Sequence, residues 1–516
     1  MTTVRVLSET LGGNALARAG MSASVPATWY PGRPLSADAW RARVEGVRRS
    51  SAPGWLDVLR PAIEPSGVAA ERLTRVARHG GVVVTTGQQP GLFGGPLYTW
   101  SKALTIRALA DEMEAVTGVP VAPLFWAATD DSDFAEASWT AVSVAGGFER
   151  LQLEAIASAG LSMSAVPLPD MTAPLAVLRD ACGSGSDGRA WEAVRHAYGR
   201  GGTIGSAYLG LLRELLEPLG IAVLDASHAA VRSAAHPLLV RALEHADAIH
   251  AALAARSDEI RTAGFEPQVA DVPELSLVFD NHDGHRIRVA RNAAAAEAGR
   301  ASPGRLSPNV LLRPVVERAI LPTVAYAAGP GEFAYFAQVS AVAQALQADI
   351  PLAVPRWSVT LVEPHIDGLL AKYDVTVADI AHGDALARRL LQQAIPPQVA
   401  ATMTALRQAL ETQSRALRDA VEHSGLVPAR SVDAIERAVS WRLDRFDRRL
   451  RAGARRRDAA LAVDLGSLGG ALFPGGARQE RMANIIPFLV RYGLSLLEQM
   501  LEHARTHARA LVRPDE

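Results

Sequence analysis

The sequence predicts an α/β protein with a parallel-sheet core, followed by a C-terminal helical domain. Residues 82–86 form a β-branched run that ends in a glycine-rich loop, helical spacing follows from Ser101, and residues 121–128 form a second apolar run. Strand, loop, helix and strand in this order make a βαβ unit with parallel strands. Beyond about Leu370, apolar residues recur every three or four positions through two long charged segments, the pattern of paired helices.

The composition limits the class of protein. The chain has 516 residues, enough for two or three domains, and is 49% hydrophobic but only 5% aromatic, which favours a helix-rich core. A net charge of -1 gives no general attraction to nucleic acid or anionic membranes. No apolar run reaches about 18 residues, and the N-terminus lacks a signal-peptide pattern. We therefore expect a cytoplasmic protein without nucleic-acid or membrane partners.

Three segments are predicted along the chain. Residues 1–370 form the sheet domain, with an insertion near residues 145–200 that glycine and proline signals mark. Residues 371–465 form a helical hairpin or coiled-coil domain. Its two long helices, over about residues 403–450, are broken at 424–428, which we interpret as an antiparallel coiled-coil hairpin. Residues 466–516 form a loop and a helix that packs back on the core or on the coiled coil.

A glycine loop follows the first predicted strand. It has neither the Gly-Lys-Ser/Thr ending of a Walker A motif nor the spacing of a dinucleotide fingerprint. Backbone N–H groups, a helix N-terminus and the residues Gly87, Gln88 and Gln89 instead predict a neutral polar cradle for an anionic group. Open α/β sheets bind ligands at this carboxyl edge of their strands.

An acidic cluster follows the neighbouring strand. Asp130, Asp131 and Asp133 place three carboxylates within four positions. Such crowding can bind Mg²⁺ or a substrate ammonium, or raise one pKa for work as a base. The alternative interpretation is a solvated loop with capping aspartates.

Lysine is scarce in this chain. Of 53 basic residues, only Lys102 and Lys372 are lysine. Lys102 begins the helix after the glycine loop, where a compact ammonium suits a phosphate or carboxylate. The alternative is a chance surface lysine.

Two further charged residues follow later strands. Glu332 comes after a glycine pair, and Arg356 ends a strand, where it suits carboxylate or phosphate recognition. A structural ion pair is the alternative for each. Because Cys182 is the one cysteine and no histidine cluster has ligand spacing, we predict no disulfide and no metal site formed by such residues.

Distinctive motifs are spread over nearly the whole chain. They are residues 86–98, residues 123–126 with the acidic cluster, Ser307-Pro308-Asn309 with Arg313-Pro314, residues 329–335, Val354-Pro355-Arg356, residues 472–476, Gln479-Glu480-Arg481 and residues 484–488. On these motifs the chain resembles the bacillithiol biosynthesis cysteine-adding enzymes. The resemblance implies a Rossmann-like core with inserted connecting segments and a C-terminal coiled-coil domain that forms a homodimer. It implies a ligase that joins the carboxyl group of L-cysteine to the amine of glucosaminyl-malate, the last step of bacillithiol biosynthesis.

The implied reaction needs an activated carboxylate, because condensing a free carboxylate with an amine in water is unfavourable. ATP or another nucleotide is the expected cosubstrate, with Mg²⁺ as a further candidate. Our role hypotheses place an anionic group on Gly87, Gln88 and Gln89, and phosphate or malate charge on Lys102. The catalytic candidates, which hold an ammonium or Mg²⁺ or remove the amine proton, are Asp130, Asp131 and Asp133. The other substrate-binding candidates are Asn309, Arg313, Glu332, Tyr335 and Arg356.

One position departs from the family pattern. Ser132 stands where the family usually carries a histidine between two acidic residues. If that histidine does acid–base work, this chain uses another group or has drifted in substrate. The alternatives to the ligase are a nucleotidyltransferase-like enzyme of the same core fold acting on another small molecule and a catalytically inactive coiled-coil scaffold.

Overall fold

The computed structural model describes residues 4–144, 146–154, 160–184, 188–457 and 459–513. The insertion predicted near residues 145–200 is therefore described only in part, since residues 145, 155–159 and 185–187 lie outside these ranges.

Strands end at Val362, and the described residues beyond it form helices and loops. The strands are β1 (Arg5–Glu9), β2 (Val82–Gln88), β3 (Val121–Ala127), β4 (Trp139–Val144), β5 (Gly147–Gln152), β6 (Ala222–Asp225), β7 (Leu275–His282), β8 (His285–Ala290), β9 (Leu306–Pro308), β10 (Thr323–Ala328), β11 (Leu352–Pro355) and β12 (Ser358–Val362).

The helices before the last strand are α1 (Ala15–Met21), α2 (Ala37–Ser50), α3 (Trp55–Ile63), α4 (Gly67–Arg78), α5 (Leu97–Thr117), α6 (Phe134–Ala137), α7 (Thr172–Cys182), α8 (Gly188–Tyr198), α9 (Ile204–Leu216), α10 (Ala229–Glu244), α11 (Ala246–Thr262), α12 (Ala294–Ala298), α13 (Arg313–Ile320) and α14 (Pro330–Ala345). Those after it are α15 (Pro364–Lys372), α16 (Val377–Ile380), α17 (Gly383–Ala394), α18 (Pro397–Ser424), α19 (Arg430–Arg457), α20 (Ala459–Leu472), α21 (Gln479–Met482), α22 (Ile486–Tyr492) and α23 (Ser495–Val512).

The core is a parallel 5-stranded sheet in the order β11-β10-β2-β3-β6. The predicted βαβ unit is present, because β2 pairs in parallel with β3 and α5 connects them. The chain adds β3 and β6 on one side of β2 and then returns to add β10 and β11 on the other side. This reversal makes a topological switch point between β2 and β10, the place where open α/β sheets bind ligands. The predicted α/β fold with a parallel-sheet core is confirmed.

Both faces of this sheet are covered, as the continuous apolar strands predict. Val84 and Phe125 face one apolar cluster, which includes the buried residues of α5. Val83 and Leu124 face a second cluster, to which α10 and α13 contribute. The helix α5 ends at Gly118, whose φ of 69° gives the left-handed cap that glycine favours.

Helices α18 and α19 form the predicted antiparallel hairpin. Each is 28 residues long, and Gly425, with φ of 64°, ends the first. Ion pairs cross between the two helices, from Arg407 to Asp444 at 2.8 Å and from Arg418 to Asp433 at 2.8 Å. None of the described helices combines the length and apolarity needed to span a bilayer.

The chain returns from the hairpin to the sheet domain through α20. This helix packs on β4 and β5, and α23 then packs along α5. The contact with β5 depends on glycine, because a Cβ on Gly470 would lie 2.0 Å from the carbonyl oxygen of Gly147, the first residue of that strand. A Cβ on Gly469, the preceding residue, would meet no atom within 4 Å.

These two glycines give a matched stability prediction. Gly470→Ala forces α20 away from the start of β5, and we expect it to destabilise the protein by about 1–3 kcal/mol, the usual range for overpacking. Gly469→Ala only improves helix propensity, so we expect a gain of about 0.5–1 kcal/mol. Thermal unfolding followed by circular dichroism measures both. If the Tm of Gly470→Ala equals or exceeds that of Gly469→Ala, the close contact between Gly470 and Gly147 is contradicted.

Candidate active site at the sheet switch point

Lys102 lies at the carboxyl ends of β2 and β10, the switch point at which open α/β sheets have their ligand-binding crevice. Its ammonium nitrogen donates to the Gly87 carbonyl at 2.8 Å and to Oε1 of Gln88 at 2.9 Å, and it pairs with Oε2 of Glu332 at 2.6 Å. The side chain is 4% exposed, so Lys102 is not a surface lysine. All three ammonium hydrogens thus have acceptors, and Lys102 holds the end of β2 against the start of α14.

Glu332 receives donors on both carboxylate oxygens. Tyr326 donates its hydroxyl to Oε1 at 2.5 Å, and the backbone N–H of Gly329 donates to Oε2 at 2.7 Å. Burial favours the neutral acid, but Lys102 and Arg313 outweigh it and hold the pKa of Glu332 below its usual value. Glu332 therefore remains ionised while it caps the start of α14.

Arg313 is fixed from one side by three partners. Its Nη1 pairs with Oε2 of Glu317 at 3.0 Å, and its Nη2 donates to the hydroxyls of Tyr326 at 2.9 Å and Tyr335 at 3.2 Å. Glu317 is fully buried and also accepts from Thr85. Burial raises the pKa of Glu317 to about 7, although Arg313 and Thr85 favour its ionised form. A guanidinium has five N–H donors, so Arg313 retains donors beyond these three bonds.

Gly87 allows this arrangement because it has no side chain. A Cβ there would lie 3.2 Å from both Nη1 of Arg313 and the hydroxyl of Tyr326. The Gly87 N–H already donates to that hydroxyl at 3.0 Å. Beside it, Gln88 donates to the Tyr98 hydroxyl at 3.2 Å, whereas the half-buried amide of Gln89 makes no hydrogen bond to the described residues.

The glycine loop folds as a braced turn. Gly94 N–H donates to the Gly91 carbonyl and Gly95 N–H to the Leu92 carbonyl, each at 3.1 Å. The Leu92 carbonyl also accepts from the side-chain amide of Asn484 at 3.2 Å. Two of the loop's backbone donors are thus used within the loop, which leaves fewer for an anion than the sequence suggested.

The three aspartates of the acidic cluster have different surroundings. Asp130 is buried and lies 3.4 Å from Nη2 of Arg286. Burial raises the pKa of Asp130, and Asp131 adds to this effect while Arg286 opposes it. Asp133 caps α6 by accepting from the backbone N–H of Glu136 at 3.0 Å. Asp131 accepts from the backbone N–H of Asp133 on Oδ1 at 2.9 Å, and its Oδ2 lies 4.0 Å from Nη1 of Arg286.

Glu136 is a carboxylate of this edge that the sequence did not single out. Desolvation raises its pKa, as do Asp133 and Asp131, while Lys102 and Arg481 lower it. The first turn of the short helix α6 thus adds a further carboxylate, whose charge interacts with both the acidic cluster and Lys102.

Two predicted site residues mainly support the structure around the crevice. Arg356 makes a bidentate pair with Glu480, at 2.7 and 2.8 Å, and is 2% exposed. Asn309 accepts from the backbone N–H groups of Leu311 and Leu312 at 3.1 and 3.0 Å, just before α13. Both residues border the site through the elements that they hold.

The structure thus brings most of the predicted residues to one sheet edge. Gly87, Gln88, Lys102, Arg313, Glu332 and Tyr335 form one connected group, with the acidic cluster on the neighbouring strand end. Tyr326 and Glu317 were missed because each lies in an ordinary strand or helix pattern. Arg286 was missed for the same reason, since it belongs to a hairpin strand. Within the described ranges, no group of three or more His, Cys, Asp or Glu residues is placed to hold a metal ion.

Two family models match the chain. One, described as "Bacillithiol biosynthesis BshC, N-terminal Rossmann-like domain", matches residues 29–357. The other, described as "Bacillithiol biosynthesis BshC, C-terminal coiled-coil domain", matches residues 359–510. The Rossmann-like core and the coiled-coil domain that the resemblance implied are therefore confirmed.

Similar proteins from several bacteria carry one name, "Putative cysteine ligase BshC". That of Solibacter usitatus is 34% identical over 441 residues, which cover 82% of this chain and 82% of that protein. That of Koribacter versatilis is 33% identical over 88% of this chain and 89% of that protein. The name is that of a ligase, in agreement with the class predicted from the sequence. With both domain models matched and this likeness over most of its length, the chain belongs to the BshC family of bacillithiol biosynthesis.

Proposed function

We propose that this protein is a cysteine ligase that joins the carboxyl group of L-cysteine to the amine of glucosaminyl-malate, acting in the cytoplasm as a homodimer. Membership of the family supports the reaction. The observation that carries the assignment to this crevice is the charge arrangement at the sheet edge. A fixed arginine with spare donors stands on the β10 side. On the β3 side, Oδ2 of Asp131 and the Glu136 carboxylate accept no hydrogen bond from the described residues, and Asp131 pairs only at 4.0 Å with Arg286.

Arg313 is the group that we assign to the cysteine carboxylate. Its position is fixed by Glu317, Tyr326 and Tyr335, so few degrees of freedom are lost when a ligand binds. A guanidinium fork matches the two oxygens of a carboxylate. Lys102 has no free donor, so we assign it to positioning Gln88 and Glu332 rather than to direct contact with an anion.

Asp131 is the carboxylate that we assign to the amine, with Glu136 beside it. Asp130 is paired with Arg286, and Asp133 caps α6, so both have other partners. Asp131 also pairs with Arg286, but at the longer distance of 4.0 Å, and its Oδ2 accepts no hydrogen bond from the described residues, so we assign this oxygen to the ammonium. A carboxylate at this place can hold the acceptor amine and remove the proton that it loses as the amide forms.

Carboxyl activation is assigned to a nucleoside triphosphate, with ATP as the first choice. It would supply the free energy by converting the carboxylate into an acyl-phosphate or acyl-adenylate, and Mg²⁺ would bind its phosphates together with a carboxylate. The chain's own residues would orient the two substrates and remove the amine proton. The basic assay is formation of the amide product from cysteine and glucosaminyl-malate, with and without ATP, followed by mass spectrometry.

One prediction of this assignment concerns Arg313. Arg313→Lys keeps the charge but loses the planar fork, so KM for L-cysteine should rise by about 10- to 100-fold, the scale of one or two charge-assisted hydrogen bonds. Arg318→Lys, on the same helix but paired with Asp349, is the control and should leave this KM unchanged. Equal KM values for both variants and wild type contradict the assignment.

A second prediction separates two neighbouring aspartates. Asp131→Asn should lower kcat by about 10²- to 10⁴-fold, the usual effect of losing a positioned acid–base group. Asp133→Ser should retain kcat, because serine caps a helix about as well as aspartate. The steady-state kcat values of the two variants test this prediction. If Asp133→Ser loses kcat and Asp131→Asn retains it, the acid–base role belongs to Asp133 instead.

The homodimer is proposed from exposed apolar stripes on the hairpin. Ile435, Val439 and Phe446 share one face of α19 and are 55%, 36% and 51% exposed, and Leu406 on α18 is 49% exposed. Spacings of four and seven residues keep such side chains on one side of a helix. In a two-fold dimer, each copy contributes the same surface to the interface, so the apolar stripes of one hairpin can pack on those of the other.

The double variant Leu406→Ser/Phe446→Ser should therefore be monomeric. Light scattering after gel filtration should give a dimer for wild type and for Val58→Ser/Ile287→Ser, which removes apolar side chains of 54% and 63% exposure from the sheet domain. A monomeric wild type, or a dimer that survives the hairpin substitutions, contradicts the proposal.

A further inference from the structure

The segment that follows the coiled coil returns to the crevice. We call residues 479–484 the strap. Gln479 pairs with the edge of β12, because its Oε1 accepts from Leu361 N–H at 2.7 Å and its Nε2 donates to the Leu361 carbonyl at 2.8 Å. The next residue, Glu480, is 4% exposed and takes both terminal nitrogens of Arg356, at 2.7 and 2.8 Å. The strap thus places the buried Glu480 carboxylate against Arg356, which borders the candidate site.

Arg356 lies beside Lys102. The guanidinium carbon of Arg356 is 5.8 Å from the centre of the Tyr98 ring, and Nζ of Lys102 is 5.9 Å from the same centre. Nη1 of Arg356 also donates to the hydroxyl of Ser101, the residue before Lys102, at 3.2 Å. A Cβ on Gly329 would lie 3.7 Å from both Nε of Arg356 and Cε of Lys102, so the two side chains are neighbours. Like charges in such a buried place repel more strongly than they would in water.

The charged groups around Lys102 come from several elements. Glu332 of α14 is its ion-pair partner, Arg313 of α13 and Arg356 after β11 are cations, and Glu136 of α6 interacts with it from the acidic side. Burial lowers the pKa of Lys102, Glu332 opposes that effect, and Arg356 and Arg313 add to it. If Arg356 had no negatively charged partner, its charge would favour the neutral amine form of Lys102. That form has one hydrogen fewer to donate to Gln88 and Gly87.

We propose that Glu480 is a positioning residue of the site: it cancels the charge of Arg356, so that the Lys102 ammonium holds Gln88 and the Gly87 carbonyl at the switch point. The C-terminal domain in this way completes a site whose other residues belong to the Rossmann-like domain. The inference rests on the proposed location of the site and is independent of which two substrates are joined there.

The scarcity of lysine makes the test direct. Lys102 and Lys372 are the only lysines of the chain, so protein grown with [ε-¹³C]lysine gives two side-chain signals, and Lys372→Arg assigns them. A pH titration followed by NMR then gives the Lys102 pKa without substrate. Glu480→Gln should lower this pKa by about one unit or more, the usual effect of a like charge that has lost its partner. The double variant Arg356→Met/Glu480→Gln should restore it, because the uncompensated cation is removed.

Glu363→Gln is the matched control. It takes a carboxylate of 3% exposure from Arg491, 2.9 Å away, and should leave the Lys102 pKa unchanged. If Glu480→Gln shifts the Lys102 pKa no more than this control does, the proposal is overturned and Glu480 is a structural residue only. Should Glu480→Gln not fold, Arg356→Met must raise the Lys102 pKa, because it leaves the Glu480 carboxylate without its cation, and an unchanged value again overturns the proposal. Absence of ligase turnover in the wild type would contradict the proposed function and leave this titration unaffected.

Discussion

The buried ion pair between Lys102 and Glu332 is the interaction on which the crevice depends. It joins α5 to the start of α14 across the point where the sheet order reverses between β2 and β10. Taking two charges out of water costs several kcal/mol per ion, and the pair is tolerable only if its remaining hydrogen-bonding capacity is met. Gly87 and Gln88 accept the other ammonium hydrogens, and Tyr326 meets the other carboxylate oxygen. Because all of its hydrogen-bonding groups have partners, the ion pair fixes β2, α5 and α14 relative to one another at the carboxyl edge of the sheet.

This constraint divides the neighbouring polar groups into supports and binding groups. Lys102 and Glu332 have no free capacity, whereas Arg313 keeps donors after binding Glu317, Tyr326 and Tyr335. We therefore propose Arg313 on one side, and the carboxylates after β3 on the other, as the groups that recognise the ligands. The strap links this arrangement to the C-terminal domain, since Glu480 binds Arg356 across 124 sequence positions.

The sequence was sufficient for the fold and for the edge at which the candidate residues meet. Continuous apolar runs, the glycine loop and helical spacing predict β2, α5 and β3, and the position of a polar residue just after a strand predicts its place at the carboxyl edge. The partner of each charge could not be predicted in the same way. Arg356 has a structural partner in Glu480, Asp130 pairs with Arg286, and Tyr326 lies inside an apolar strand. Such pairings depend on contacts between segments far apart in sequence, which local patterns do not encode.

In the reaction that we propose, a nucleotide activates the carboxyl group of cysteine, which is then transferred to an amine at the switch point. L-Cysteine labelled with ¹⁸O in both carboxyl oxygens tests it, with glucosaminyl-malate and ATP as the other substrates and mass spectrometry of all products. One ¹⁸O should remain in the amide carbonyl and the other should appear in AMP or inorganic phosphate, because activation forms a bond between that oxygen and phosphorus. Formation of the amide with no label in any phosphate product would contradict nucleotide activation, and the absence of an amide product would contradict the ligase itself.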